Sequence, residues 1–549
     1  MNWATTDQHS LGLAQDWPNR EPRRPGRPVR GAWATEPGQW QGDTGRGGWA
    51  SEPDQRHGEP AAGGWASEPD QRRGEPAAGG WASEPDQRRG QPAAGGWATE
   101  PDQRHGDQSP GRRAGRPGRR PGPADHGHGR PADRLPRLLP DGFTDEPTGL
   151  GQHLAEHGPI PALGGHQRWR DELIAEVELA RLAGRGGAGF PTARKLAAVA
   201  SAGRRAIVVA NGTEGEPISA KDKVLLAQAP HLVLDGAVVA AALVGANEAV
   251  IVAHPAVSDI VAAAVAERRR ARLDRIRLRV VPAADQFVGG EASAVVNWIE
   301  RGVPKPIATP QRLSVRGLYG RPTLVQNVET LAHLALIARH GADWFRAVGT
   351  ASEPGSMLVT LAGAVRYPGV YEIAIGTSVA DVLGQAGGPS GPLSALLIGG
   401  YFGTWVDSAA AATLPFSTEG LRALGAHVGA GLVAALPADA CGLVETARVT
   451  RYLAGESAGQ CGPCVFGLDA VAGQLERLAD GRGDDLRLLN RWIGQLRSGR
   501  GGCKHPDGTI GMVRSALTVF NAELDLHAQG WCCGTAEAGV IPVPAWSQS

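Results

Sequence analysis

The chain has 549 residues, with 56 Lys and Arg against 56 Asp and Glu and only six cysteines. This charge balance excludes the electrostatic footprint of a nucleic-acid or membrane-surface protein. The cysteines are too few for a disulfide framework, and all lie beyond residue 440, a pattern of ligands in a reducing compartment.

The opening MNWATTDQHSLGLAQDW has neither the basic start nor the apolar core of a secretory leader. The longest apolar run, GAVVAAALVGA at 236–246, falls short of the ~18–20 residues that a membrane-spanning helix needs. A cytoplasmic chain without direct membrane insertion is expected. The unit GGWASEPDQRRGEPAA then recurs, with Trp49, Trp65, Trp81 and Trp97 at steps of 16 and Trp33 opening a divergent copy. One Trp per unit cannot offset the entropy of ordering it, so residues 1–135 are expected to be disordered, with GRRAGRPGRRPG (111–122) as a basic linker. A tail for RNA or an acidic partner, a solvated low-complexity segment and translation from too far upstream are all open readings, the bland ones being favoured.

Ordered sequence begins near Leu138. DELIAEVELARLA (171–183) has helical apolar spacing. AIVVA (206–210), EAVIVAH (248–254) and RIRLRVV (275–281) read as short strands between long helical stretches at 222–246 and 256–273. That alternation predicts an α/β domain over 136–350. From Ser356, two strands joined by RYPG and a short helix predict a small β-rich module over 351–435. Helices with the six cysteines follow over 436–530, and 531–549 is a tail.

GRGGAGF (184–190) places Gly184, Gly186 and Gly189 in the pattern G-x-G-x-x-G. A Rossmann turn must follow a strand, and the residues before this loop look helical, so that reading is rejected. Close-set glycines still let N–H groups approach a phosphate, and Arg185 and Lys195 add positive charge. An anion-binding loop is expected; a flexible turn is the alternative.

GRGGAGFPTARK (184–195), NGTEGEP (211–217), GGEAS (289–293), GLYGRPTLVQNVET (317–330) and GQCGPC (459–464) stand in one order. With them the chain resembles, over roughly 138–530, the NADH-oxidising flavoprotein subunit of respiratory complex I and its relatives in soluble hydrogenases and formate dehydrogenases. The resemblance implies an α/β flavin- and nucleotide-binding domain that is not a standard Rossmann fold. A β-grasp module of the soluble-ligand-binding type and a helical bundle holding a [4Fe–4S] cluster would follow. It implies that Gly184, Arg185, Gly186, Gly187 and Lys195 hold FMN, and that Phe190 stacks on the nucleotide adenine. Asn211, Glu214, Gly290, Glu291, Asn327 and Thr330 would contact the flavin, with Thr213 and Gln326 in place of a usual aspartate and asparagine. Glu216 matches the acid lining the nicotinamide pocket and is the catalytic candidate. The chemistry implied is hydride transfer from NAD(P)H to FMN, then single electrons through an iron–sulfur cluster to a ferredoxin-like protein, a quinone-linked acceptor or other oxidoreductase subunits.

Two departures matter. Ala292 replaces a second glutamate, and Arg312 stands where the family has an aromatic; losing a carboxylate and gaining a guanidinium both favour a 2′-phosphate, so NADPH is expected to be accepted at least as well as NADH, and a diverged site that binds nucleotide poorly is the alternative. Cys461, Cys464 and Cys503 match three cluster ligands, but Ala458 replaces the first. Three thiolates suit a [3Fe–4S] cluster, or a [4Fe–4S] cluster with a fourth ligand foreign to the family, for which His505, Cys532 and Cys533 are candidates. Zinc on three cysteines and a histidine is the alternative. Cys441 lies outside the motif and reads as a buried small hydrophobe. Against the enzyme stands a second reading, a degenerate scaffold that keeps only partner binding. A weaker third makes the β-rich module a receptor for a soluble ligand.

Overall fold

Four strands, β1 (Ile207–Gly212), β2 (Glu248–Ala253), β3 (Arg277–Pro282) and β4 (Thr323–Asn327), form one sheet in the order β3-β2-β1-β4, every pair parallel. β1 and β2 are almost continuously apolar and buried, as strands covered on both faces must be. The chain runs outward from β1 to β3 and then returns to place β4 on the other side of β1. The order therefore reverses between β1 and β4, and the crevice beyond their carboxyl ends is where a sheet of this kind holds its ligand. Asn211 and Asn327 are register partners at those ends.

The computed structural model describes residues 133–140, 146–161, 167–203, 205–308, 311–482, 485–497, 499–535 and 539–544, all within one compact unit. The expectation for residues 1–135 lies, save for its last three residues, outside the described residues. Among the described residues no single helix is long and apolar enough to cross a membrane.

The apolar stretch at 222–246 divides into two helices, Lys221–Gln228 and Pro230–Val244, which meet at 97°. Pro230 is the cause: it can open a helix but cannot continue the preceding one. The helix expected at 171–183 spans Gln167–Leu179, and the chain then turns through Arg181, whose φ is 54°. Helix Pro230–Val244 is buried nearly all round against helix Val328–Arg346. Gly236 sets that contact, since a Cβ there would lie 1.9 Å from the Leu331 carbonyl oxygen.

The second sheet is mixed. Strands β5 (Ser356–Gly363), β6 (Gly369–Ala374), β7 (Leu393–Ile398), β8 (Thr404–Asp407) and β9 (Leu432–Pro437) lie in the order β6-β5-β9-β7-β8, with β5 and β9 parallel. Helix Val379–Gln385, capped by Ser378 accepting from the Asp381 N–H, packs its Val379, Val382 and Leu383 into this sheet's core. Helices Gly442–Gly455, Asp469–Ala479, Leu486–Leu496, His505–Val519 and Asn521–Ala528 follow. Their core is continuous with Tyr401, Trp405 and the other face of the sheet.

Candidate active site

The glycine loop follows helix Gln167–Leu179 and is pinched shut at its base. The Gly184 N–H donates to the Phe190 carbonyl at 2.9 Å, and the Thr192 N–H to that of Leu182 at 2.9 Å. Gly187 at φ +97° and Gly189 at φ +60° need backbone that side chains resist. The loop forms one wall of a cavity of about 1070 Å³, which also takes in Asn211, Glu214, Glu216, Gly290, Glu291, Gln326, Asn327, Thr330 and, at its far side, Cys503 and His505.

Behind the loop, the Arg185 N–H donates to Thr330 Oγ1 at 2.8 Å. Its guanidinium reaches the Ser356 carbonyl at 3.0 Å and Glu329 at 3.9 Å. Burial pushes the Arg185 pKa down, and Glu329 opposes this. Lys195 Nζ donates to the Val325 carbonyl at 2.5 Å, and burial lowers its pKa also. Both cations are thus held against backbone oxygens at the cavity wall. Phe190 is 53 % exposed, an aromatic face open to a planar ligand.

The sheet ends supply polar groups that hold one another. Asn211 Nδ2 donates to the Gly290 carbonyl at 2.9 Å, and its Oδ1 accepts from the Thr213 N–H at 3.2 Å. Asn327 caps helix Val328–Arg346 through Oδ1, while its Nδ2 donates to Asp222 at 2.6 Å. Gln326 donates to Thr192 Oγ1 at 3.1 Å. Glu214, at φ 49°, turns its carboxylate back to accept from Ser219 Oγ and the N–H groups of Asp222 and Lys223 at 2.6–3.0 Å. Glu291 likewise caps helix Ala292–Arg301. These two carboxylates are already engaged, so what they offer a ligand is charge and shape rather than free acceptors. Thr213 is buried beside the cavity and does not line it. Arg312 is exposed and outside the wall, whereas Ala292 lines it.

Glu216 differs from the other two. Its Oε2 accepts from the Tyr401 N–H at 2.9 Å, but its Oε1 is closed to solvent and has no partner among the described residues. Burial pushes its pKa up to about 8, against the pull of the Tyr401 N–H. Burial thus favours the protonated, neutral form of this carboxyl over the charged one near neutral pH. Gly400 permits this, since a Cβ there would lie 2.7 Å from Glu216 Oε2.

Across the cavity, Cys461 and Cys464 flank a turn in which the Cys464 N–H donates to the Cys461 carbonyl at 3.0 Å. The loop 459–464 meets the loop ending at Cys503. Burial raises the Cys461 thiol less than the N–H groups of Gly502 and Cys464 lower it, so its pKa falls below the ordinary value. Burial pushes Cys464 up to about 11 and raises Cys503, with each of the two also feeling the Cys461 charge. Three thiols are thus gathered, with buried Ala458 beside Ser457, whose hydroxyl reaches Cys464. His505 is buried here, but its Nε2 is 2.7 Å from the Leu453 carbonyl oxygen. Cys532 and Cys533 do not join this set. They group with His527 and with Cys441, which is buried as expected and lies outside the motif.

Sequence reasoning missed several residues. Lys221 sits between Asp222 at 2.6 Å and Glu329 at 2.9 Å, an ionic floor whose members are scattered in sequence. Tyr401 and Phe402 come from the second sheet, and Phe402 packs edge-on to Phe287 at 4.8 Å. Glu456, just ahead of the cysteine motif, accepts from the Phe287 N–H at 2.9 Å and so ties the cysteine loop to the turn Phe287–Gly290.

The residues fit the groups the fold implies. The pinched glycine cradle, the open face of Phe190 and the unpartnered Oε1 of Glu216 suit FMN with a nicotinamide; the three converging thiols suit an iron–sulfur cluster. Residues 177–336 match the Nuo51 FMN-binding domain, residues 358–396 the SLBB domain, and residues 445–527 the NADH-ubiquinone oxidoreductase-F iron-sulfur binding region. The NADH-quinone oxidoreductase F 2 subunit of Rhizobium meliloti is 32% identical over 381 residues, 66% of this chain and 90% of that protein. The NADH-quinone oxidoreductase F subunit of Streptomyces coelicolor is also 32% identical, over 66% of this chain and 84% of its own length. Among solved structures, the NAD+-reducing [NiFe]-hydrogenase in the air-oxidized state is similar, with a TM-score of 0.62 and 30% identity over 67% of this chain and 65% of that one. With flavin cradle, SLBB segment and cysteine loop matched in order, the chain belongs to the family of NADH-quinone oxidoreductase F subunits, which are flavin- and iron–sulfur-containing.

Proposed function

We propose that the chain oxidises NAD(P)H on FMN and passes the electrons one at a time through an iron–sulfur cluster to further oxidoreductase subunits or a ferredoxin-like protein in the cytoplasm. The observation that carries this reading is the continuity of one cavity from the glycine loop to Cys503. Bound FMN would supply the switch from two-electron to one-electron transfer. The chain's own residues do the rest. The loop 184–190 presents backbone N–H groups, with Arg185 and Lys195 behind it, to a phosphate. Glu216, whose carboxyl lines the cavity and is pushed towards its neutral form by burial, would hydrogen-bond a neutral polar group such as a carboxamide and so orient it. Phe190 offers a stacking face to the adenine. Cys461, Cys464 and Cys503 hold the cluster, with its fourth position not filled by a family thiolate. Val465 and Phe466 beside them are exposed, Phe466 at 74 %, which suits transfer to a docked partner. Ala292 in the cavity wall supports acceptance of NADPH, while the exposed position of Arg312 favours a contribution from Ala292 alone.

No observation favours the scaffold reading. The test is to purify the chain anaerobically with FMN and record its spectrum during titration with NADH and with NADPH. Bleaching of the flavin bands, followed by loss of iron–sulfur absorption, is expected. A chain that holds flavin and iron yet is reduced by neither nucleotide would overturn the function.

A further inference from the structure

A second set of thiols lies outside the cavity. We propose that Cys441, His527, Cys532 and Cys533 form a closed structural zinc site that clamps the C-terminal segment onto the helical bundle. The donor atoms of all four lie within 4.8 Å of one another. A tetrahedral zinc ion with Zn–S bonds of ~2.3 Å sets its sulfurs about 3.8 Å apart, so the four need to draw together by no more than about 1 Å. His527 Nε2 is already 3.3 Å from Cys441 Sγ, while its Nδ1 has no partner, which leaves Nε2 as the ligand atom. Three cysteines and a histidine are a common structural zinc set. All three cysteines are free thiols. Cys441, Cys533 and His527 are buried and Cys532 partly so, which leaves no open coordination position for a substrate.

The spacing fits one ion rather than an iron–sulfur cluster, whose several irons and bridging sulfides would hold the thiolates farther apart. The iron–sulfur match at 445–527 also excludes three of the four residues.

The surroundings are arranged for the set. Glu523 Oε2 accepts from the N–H groups of Gly442 at 3.0 Å and Leu443 at 3.4 Å, and lies 3.7 Å from Cys441 Sγ, fixing that side chain at the start of helix Gly442–Gly455. The Gly534 N–H donates to Cys532 Sγ at 3.4 Å. A Cβ on Gly534 would lie 2.9 Å from the Cys441 nitrogen, so the CCG turn can lie against Cys441 only with glycine there. Thr535 then pairs with the Asp439 carbonyl at 2.8 Å. Beyond the site, the N–H groups of Gly539, Val540 and Ile541 donate to the Glu445 carboxylate at 2.6–3.2 Å, and the Tyr401 hydroxyl donates to the Pro542 carbonyl. Tyr401 is also the residue whose N–H holds Glu216. The clamp therefore lies on the same C-terminal segment whose Pro542 meets Tyr401, the neighbour of cavity-lining Phe402.

The full chain, purified anaerobically with FMN, is to be assayed for zinc, iron and flavin by elemental analysis and spectrum. One zinc per chain is expected in addition to the iron. Cys532→Ala and Cys533→Ala are each expected to lower zinc at least tenfold while iron stays constant; Cys461→Ala is expected to lower iron and keep zinc. An organomercurial titration of the wild-type chain reads the same site without a substitution, with about one zinc released to a colorimetric chelator. Wild-type chain without zinc, zinc that survives both substitutions, iron in place of zinc at this site, or a disulfide recovered among Cys441, Cys532 and Cys533 would each overturn the proposal. None of these outcomes depends on nucleotide oxidation, so this proposal and the proposed function fail separately.

Discussion

The two sides of the cavity are built from different materials. The flavin side is mostly main chain: a loop of glycines closed by backbone hydrogen bonds, with Asn211, Asn327 and Glu214 spent on holding backbone in place. The cysteine side depends on particular side chains. A main-chain site tolerates changes of side chain, because the atoms that face the ligand are present in every residue. A side-chain site changes its chemistry with the replacement of a single ligand. Backbone conformation is the weakness of the first side, and ligand count that of the second.

The largest effect is expected where the main-chain side is attacked through its backbone. Gly187 sits at φ +97°, where a β-branched residue is strained by ~1–3 kcal/mol, and a Cβ there would point at the backbone of Gly429 and Ala430 across the cavity wall. Gly187→Val is expected to lower FMN retained on purification at least tenfold, with iron content unchanged. Flavin retained at the wild-type level would break the comparison.

On the cysteine side, Ala458→Cys restores a fourth thiolate at a buried position. Iron per chain is expected to rise by about one, and electron paramagnetic resonance to change from any three-iron signal to that of a reduced four-iron cluster. An unchanged spectrum would show that position 458 does not face the cluster.

Glu216 sharpens the comparison, because it is a buried carboxyl in the cavity wall with an oxygen that has no partner among the described residues. With its pKa raised to about 8 by burial, the folded chain binds a proton that the unfolded chain releases near the ordinary carboxylate value. Stability from this group is complete below that value and is lost as pH rises through about 8. Glu216→Gln, which is neutral at every pH, is expected to flatten the decline of unfolding free energy between about pH 5 and 8. The KM for the nicotinamide nucleotide is expected to rise above pH 8 in the wild type and to stay level in the variant. The smallest effect is expected from Tyr401→Phe, which removes one hydrogen bond to Pro542: about 1 kcal/mol in urea unfolding, with flavin content unaltered.

The parallel α/β character and the glycine loop were legible because they rest on local pattern: apolar strands, and glycines following a helix. The break at Pro230 was missed, because a continuous apolar run at 222–246 outweighed the one proline that divides it. Lys221, Glu329 and Tyr401 were not legible, since their roles come from contacts across 108 and 185 positions of sequence that carry no spacing. The second thiol set was hidden for the same reason. Cys441 precedes Cys532 by 91 positions, and only the fold brings them together.

The hydrogen bond from the Phe287 N–H to Glu456 has a kinetic side. Electron tunnelling weakens exponentially with the gap to be crossed, so a fraction of an ångström of play between the nucleotide turn and the cysteine loop would alter the rate. One carboxylate oxygen joins those two segments directly and so sets their spacing at that point.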